Sequence, residues 1–383
     1  MPVFEGFILT PSGFVEGRIG SDAAGRIDVL VGAAVDEARV RTGRAAIALP
    51  GFIDLHVHGG AGRDIMEGGD AALQVSRLHA AHGTTALLAT TMTAPQEDLD
   101  AAFAALAPLC NRPAQGAARV LGVHLEGPYI SAAKLGAQPA FVRAANMAEI
   151  RRLHALAPIR LLTLAPEVSN NQALIADLVA MGMRVQLGHT TGSYEQGVAA
   201  LRCGATGFTH LFNAMSALQH REPGMVGAAL AHAEYAEIIP DLVHVHPGAI
   251  RAALRAIPKL YCVTDSTAAA GMPDGDYQLG RHTVTKCLGG VRLADGTLAG
   301  SVLTMDAALR NLVNGVGLSL EDASHRVSTY AADHLGLRDR GRLALGTWAD
   351  LVIVDSNLQV QQVWLEGAEL QARPHLPLAP ERV

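Results

Sequence analysis

Between Leu49 and Asp265 the chain alternates short apolar, β-rich runs with longer Ala- and Leu-rich stretches whose apolar positions recur every three or four residues. The short runs, at residues 51–56, 84–91, 119–126, 160–166, 183–189, 206–211, 236–243 and 260–265, predict eight strands. Stretches such as 71–81, 97–109 and 171–181 predict amphipathic helices between them. A doubly wound open sheet alternates in the same way, but eight βα units in succession favour a closed (β/α)8 TIM-type barrel.

The pattern changes at both ends of this block. Residues 1–48 and 342–371 read as short strands and turns, which predicts a small β-sandwich domain formed jointly by the N- and C-terminal segments. The expected division is 1–48 and 342–383 for that domain and 49–341 for the barrel. After the last barrel strand, a Gly- and Asp-rich stretch at 268–300 is expected to be irregular and to wall an active site. A helical pattern resumes over 301–335.

Composition narrows the function classes. With 49% hydrophobic and 17% charged residues, the 383-residue chain has ample material for a large core. A net charge of −6 without a basic run gives no footprint for nucleic acid or an anionic membrane. Glu5, Glu16 and Arg18 break the apolar character of the first twenty residues, unlike a signal peptide, and no run reaches the ~20 apolar residues of a membrane span. Cys110, Cys203, Cys262 and Cys287 are scattered without a C-x-x-C pair, so buried, inert thiols in a reducing, cytoplasmic setting are expected.

Chemistry-bearing residues fall at the strand ends. In Gly51-Phe-Ile-Asp-Leu-His-Val-His-Gly-Gly60 the two histidines are two apart, so His56 and His58 share a face and converge at the barrel mouth; filling a barrel layer is the alternative. Glu126 ends Leu121-Gly-Val-His-Leu-Glu126 before a Gly-Pro stop, where a carboxylate can bridge two cations or form a salt bridge. His124 shares its face and is expected to pack or to support a ligand. His189 and His210 end consecutive strands and can share a metal with Glu126. Asp265 closes the last strand, placed to take a proton from water and pass it to a leaving amine, or else to cap the loop through Ser266 and Thr267. Asn213, Ala214, Arg221 and His244 lie in polar loops where an Arg and a His suit a phosphate. His79, His82, His154 and His325 fall on helical segments and read as structural.

Together, P-G-F-I-D-L-H-V-H-G-G, H-L-E-G-P, G-H-T, T-H-L-F-N-A-M, R-E-P-G, V-T-D-S-T and L-A-G-S-V-L-T-M resemble the N-acetylglucosamine-6-phosphate deacetylases of the amidohydrolase superfamily, nearly end to end. The resemblance implies metal-dependent removal of acetate from the sugar phosphate, with a galactosamine epimer, another small amide or a non-catalytic sugar-phosphate-binding barrel as rivals. It implies that Glu126, His189 and His210 hold one divalent cation, and that His56 and His58 complete a second site with Glu126 and Asp265. One or two ions per subunit are therefore expected, from among Zn, Fe, Co and Mn. It further makes Ala137, Gln138, Asn213, Ala214, Arg221, His244, Leu298, Ala299 and Gly300 substrate contacts, with Arg221 reaching a neighbouring subunit in a homodimer. The pattern departs from the family at Asp241-Leu-Val-His244, where Leu242 stands in place of a glycine.

Overall fold

The computed structural model describes residues 2–370. Six parallel strands lie side by side in the order Gly207–Phe208, Arg184–Leu187, Ile159–Leu164, Arg119–Glu126, Thr84–Thr91 and Phe52–Val57. Tyr235–Ile238 and Lys259–Cys262 form a further parallel pair. The Leu211 N–H donates to the Glu237 carbonyl at 2.9 Å, and the Asp265 N–H donates to that of His56 at 2.9 Å. Those two links join the pair to both edges of the six-stranded sheet, and the eight predicted strands close into a barrel.

Strands such as Thr84–Thr91 are buried along their whole length, as expected between a packed interior and an outer ring of helices. The helices Ala71–Ala81 and Asn171–Ala180 match the apolar periodicity; the first buries Val75 and Leu78 toward the sheet. Helix Tyr194–Arg202 begins at a capping box in which Ser193 and Gln196 satisfy each other's backbone amides.

Several strands stop short of the predicted ends: 183–189 ends at Leu187, 206–211 at Phe208, 236–243 at Ile238 and 260–265 at Cys262. Left-handed backbone follows three of them, with φ of 47° at His189, 31° at His210 and 49° at Asp265. An extended strand cannot run through such residues, and the turn swings each side chain into the mouth.

The terminal segments build one seven-stranded sheet in the order Ala368–Glu369, Val360–Leu365, Leu351–Val354, Ile47–Pro50, Val3–Thr10, Gly13–Ser21 and Ile27–Ala34. This single sheet curls to enclose its own core of Ile8, Ile19, Ile27, Leu351, Ile353 and Trp364. Its two sides meet where Ala349 N–H donates to the Gly25 carbonyl at 2.9 Å. Gly25 has φ 81°, and a Cβ there would lie 2.0 Å from the Glu366 carbonyl oxygen, so only glycine fits. Residues 371–383 of the expected C-terminal part lie outside the described residues.

Two expectations are corrected. The insertion after Asp265 contains a three-stranded antiparallel sheet, Gly275–Leu279, His282–Cys287 and Gly290–Arg292, where irregular chain was expected. Its turns are Gly280-Arg281 and Leu288-Gly289, the latter with positive φ at both residues, and its alternation puts Leu279, Val284 and Val291 into a satellite core with Met92 and Ala299. The cysteines are not uniformly buried: Cys262 is, Cys110 and Cys203 are half-buried, and Cys287 is exposed because it lies on that small sheet rather than in the barrel. Among the described residues no helix is long and apolar enough to cross a membrane.

Candidate metal centre and active site

At the C-terminal mouth of the barrel a cavity of about 330 Å³ is lined by His58, Glu126, His189, His210 and Asp265 at its floor. Gly136, Ala137, Gln138, Asn213, Ala214, His244, Leu298 and Gly300 form its walls. His56 lies beneath the floor and is fully buried. Of the residues predicted from sequence, two stand apart from the cavity: Arg221 is exposed on the loop after His210, and Ala299 packs into the satellite core behind the wall. Sequence reasoning missed Lys134, Leu135 and Thr297, which also line the cavity. They follow no strand end and gave no signal.

Glu126 is the hub. Its Oε1 lies 3.1 Å from both His189 Nε2 and His210 Nε2, which are 3.0 Å from each other. Its Oε2 lies 3.3 Å from His56 Nε2 and 3.1 Å from His58 Nε2. Asp265 Oδ1 completes the second group at 3.3 Å from His58 Nε2 and 3.5 Å from His56 Nε2. Two triads thus meet at one carboxylate, each able to hold an ion: Glu126, His189, His210 and His56, His58, Asp265.

Supporting groups fix the His189 and His56 rings. His189 Nδ1 lies 2.8 Å from the Lys134 carbonyl, which only accepts, so Nδ1 carries a proton and Nε2 is the ring atom left to face Glu126. His56 Nδ1 faces Glu237 Oε2 at 3.1 Å, while Glu237 also accepts from the His210 backbone N–H at 3.2 Å and the Tyr261 hydroxyl at 3.3 Å. Glu237 is fully buried and escaped the sequence reading, because one carboxylate inside Tyr235-Ala-Glu-Ile238 has no motif around it. His124 packs edge-on against His56 with ring centroids 4.5 Å apart and pairs with Thr163 Oγ1 at 2.7 Å.

Electrostatics point the same way. Burial opposes charge on His56, yet Glu126 and Asp265 raise it well above the usual imidazole range. His58, likewise buried, is pushed up to about 9 by the same two carboxylates. Burial alone would raise Glu126 and Asp265, but the facing histidines hold both below the usual carboxylate range. The cluster therefore demands positive charge, from protons or from a cation. Three donor atoms 3.0–3.1 Å apart approach the edge of about 3.3 Å that tetrahedral ligation at 2.0–2.1 Å requires. The donor set fits a divalent metal.

Asp265 is held by its neighbours. Ser301 N–H donates to its carbonyl at 2.7 Å, and Gly300 has φ 61°; a Cβ there would fall 2.6 Å from Thr267 Cγ2. Beneath lies Asp54, fully buried and bonded to Thr264 Oγ1 at 2.6 Å; burial, partly offset by Thr264, raises it to about 7.

On the opposite wall, His244 Nδ1 pairs with Asp241 Oδ2 at 2.6 Å, and that contact outweighs burial to raise its pKa. Leu242 takes φ 64°, the left-handed conformation that glycine would adopt freely, with its side chain packed over Gly315. The four histidines read as structural from the sequence lie away from the cavity: His79 on the Gly59 carbonyl, His82 on Asp306, His154 on Ile159 N–H and His325 beside the Tyr330 ring.

The amidohydrolase family model matches residues 47–370. The chain is 41% identical to the N-acetylgalactosamine-6-phosphate deacetylase of Escherichia coli O157:H7 over 84% of its own length and 87% of that protein. It is 39% identical to the N-acetylglucosamine-6-phosphate deacetylase of Lysinibacillus sphaericus, covering 85% and 86%. A mutant N-acetyl-D-glucosamine-6-phosphate deacetylase from Mycobacterium smegmatis, solved with N-acetyl-D-glucosamine-6-phosphate, superposes with TM-score 0.87 at 34% identity, covering 95% of this chain and 97% of that one. With its barrel, its two convergent triads and a family match spanning most of its length, the chain belongs to the amidohydrolase family.

Proposed function

We propose that the chain hydrolyses the acetamide of N-acetyl-D-glucosamine 6-phosphate to D-glucosamine 6-phosphate and acetate, in the breakdown or recycling of amino sugars. The observation that carries this reading is the position of Glu126 between two histidine groups at the floor of a cavity whose far wall holds His244. The similarity to deacetylases of hexosamine phosphates supports the substrate class.

Glu126, His189 and His210 would hold one divalent cation, and His56, His58 and Asp265, sharing Glu126, a second. When bound, such a cation supplies Lewis acidity toward the amide carbonyl and lowers the pKa of water from 15.7 toward ~7. Asp265 takes the proton of the attacking water on its carboxylate as the carbon–oxygen bond forms. It then delivers that proton to the amide nitrogen as the carbon–nitrogen bond breaks, so the amine leaves neutral. His244 and Asn213, with the backbone at Ala214, bind the phosphate, and Ala137, Leu298 and Gly300 shape the sugar wall, with Ala299 packed behind it. Arg221, exposed away from its own cavity, serves a second copy, which makes the active unit a homodimer. The unpaired cysteines fit a cytoplasmic location.

The test is acetate release from N-acetylglucosamine 6-phosphate by protein as purified, chelator-stripped and refilled with single divalent metals, Zn, Fe, Co and Mn in turn. Turnover lost on stripping and restored on refilling is expected; none under any condition would sink the reading. The 41% identity to the E. coli protein favours the galactosamine epimer as a second reading, separated by running both epimers and the unphosphorylated sugar side by side.

A further inference from the structure

The two oxygens of Glu126 are divided between two ligand groups, one toward His189 and His210 and the other toward His56 and His58, so serving both depends on the plane in which the carboxylate is held. A carboxylate torsion is broad and nearly two-fold, so a separate restraint must set its plane. Gln138 supplies one. It is 5% exposed, and its Nε2 donates to Glu126 Oε2 at 2.7 Å.

The orientation of that amide is not free. Gln138 Oε1 accepts from the Thr93 backbone N–H at 2.7 Å, and a backbone N–H only donates. Flipping the amide would set its NH2 against that N–H and its oxygen against the carboxylate. Thr93 thus dictates that Gln138 presents a donor to Glu126, and it does so on the oxygen that faces His56 and His58.

We propose that Gln138 is a positioning residue that locks the Glu126 carboxylate in its bridging orientation, and so governs how tightly the His56, His58 and Asp265 group retains a metal ion. This rests on the reading of Glu126 as a ligand shared by two cations. Groups that orient a metal ligand through a hydrogen bond change metal affinity by about 10–100-fold when removed. Gln138 also lines the cavity, so its rival role is a substrate contact.

Titration of chelator-stripped wild type and Gln138→Met with Zn²⁺ or Co²⁺ against a chromophoric competitor separates the two roles, with the melting temperature of the stripped protein as the control for folding. The expected result is two ions per wild-type chain and a 10–100-fold weaker hold on one of them in the variant. Its kcat should recover when metal is added in excess, with KM little changed. Unchanged metal affinity together with a raised KM that excess metal does not restore would overturn the proposal. Gln138→Asn, one methylene short of spanning Thr93 and Glu126, carries the same expectation if the Met variant does not fold. Failure of the underlying reading looks different: Glu126→Gln would bind metal as wild type does.

Discussion

The barrel mouth and the terminal sheet both bury carboxylates, but they balance them with different charges. Beside the terminal sheet Arg340 sits between Asp350 and Glu366 at its strand ends, so the chain supplies its own cation. Burial raises Asp350 to about 6, against the pull of Arg340. At the mouth Glu126 and Asp265 are faced by four imidazoles, and among the described residues no Lys or Arg pairs with either. An arginine makes a closed, permanent pair, whereas imidazoles can exchange protons for a metal ion. The first arrangement holds a sheet together; the second keeps a place for a cation and the chemistry it brings.

The sharpest way to break this contrast is Glu126→Gln. It removes the shared charge, so both ions and all turnover above background should be lost; metal analysis with an acetate assay tests it, and a metal-replete, active variant would refute the contrast. Asp265→Asn comes next. It should keep at least the ion held by Glu126, His189 and His210, while kcat falls by about 10²–10⁴-fold, the range of general acid–base catalysis. Near-normal turnover in that metal-replete protein would remove Asp265 as the proton carrier.

At the other region, Arg340→Met leaves two carboxylates without their cation and should cost about 3–5 kcal/mol in denaturant unfolding, with metal stoichiometry unchanged. Histidines without carboxylate partners sharpen the comparison further. Burial lowers His79 to about 4, and the same cause lowers His334 to about 3. Between pH 6.5 and about 4 the unfolded chain therefore binds protons that folded His79 refuses, so stability falls as pH falls through that window, by up to about 3 kcal/mol for His79. Equilibrium unfolding of wild type and His79→Gln should show a shallower acid loss in the variant; identical slopes would count against it. The smallest effect is expected for Glu237→Gln, which weakens the hold on His56 Nδ1 and should cost about 10–100-fold in metal affinity, read by chelator competition.

Much of this was legible in the sequence, because the pattern that builds a barrel also marks its mouth. Eight apolar runs predicted eight strands, and the residues that end them, His56, His58, Glu126, His189, His210 and Asp265, are those brought together. Alternation along an extended strand is a local property, so His56 and His58 were bound to share a face. Local turn chemistry was weaker evidence: the sheet inside 268–300 was missed because its strands are short and their apolar partners, Met92 and Ala299, come from outside them.

The tertiary structure alone decided the rest. Strand pairing brought Glu237 under His56 from 181 residues away, and no spacing rule reaches that far. The loop after Glu126 turned Gln138 back onto its carboxylate, where Thr93 from another strand end fixes its amide. Arg221, one motif away from His210 in sequence, was carried out of the cavity. Periodicity along the chain determines which residues share an element and a face. Which elements meet, and so which donor finds which acceptor, is set only when the barrel closes and its loops pack.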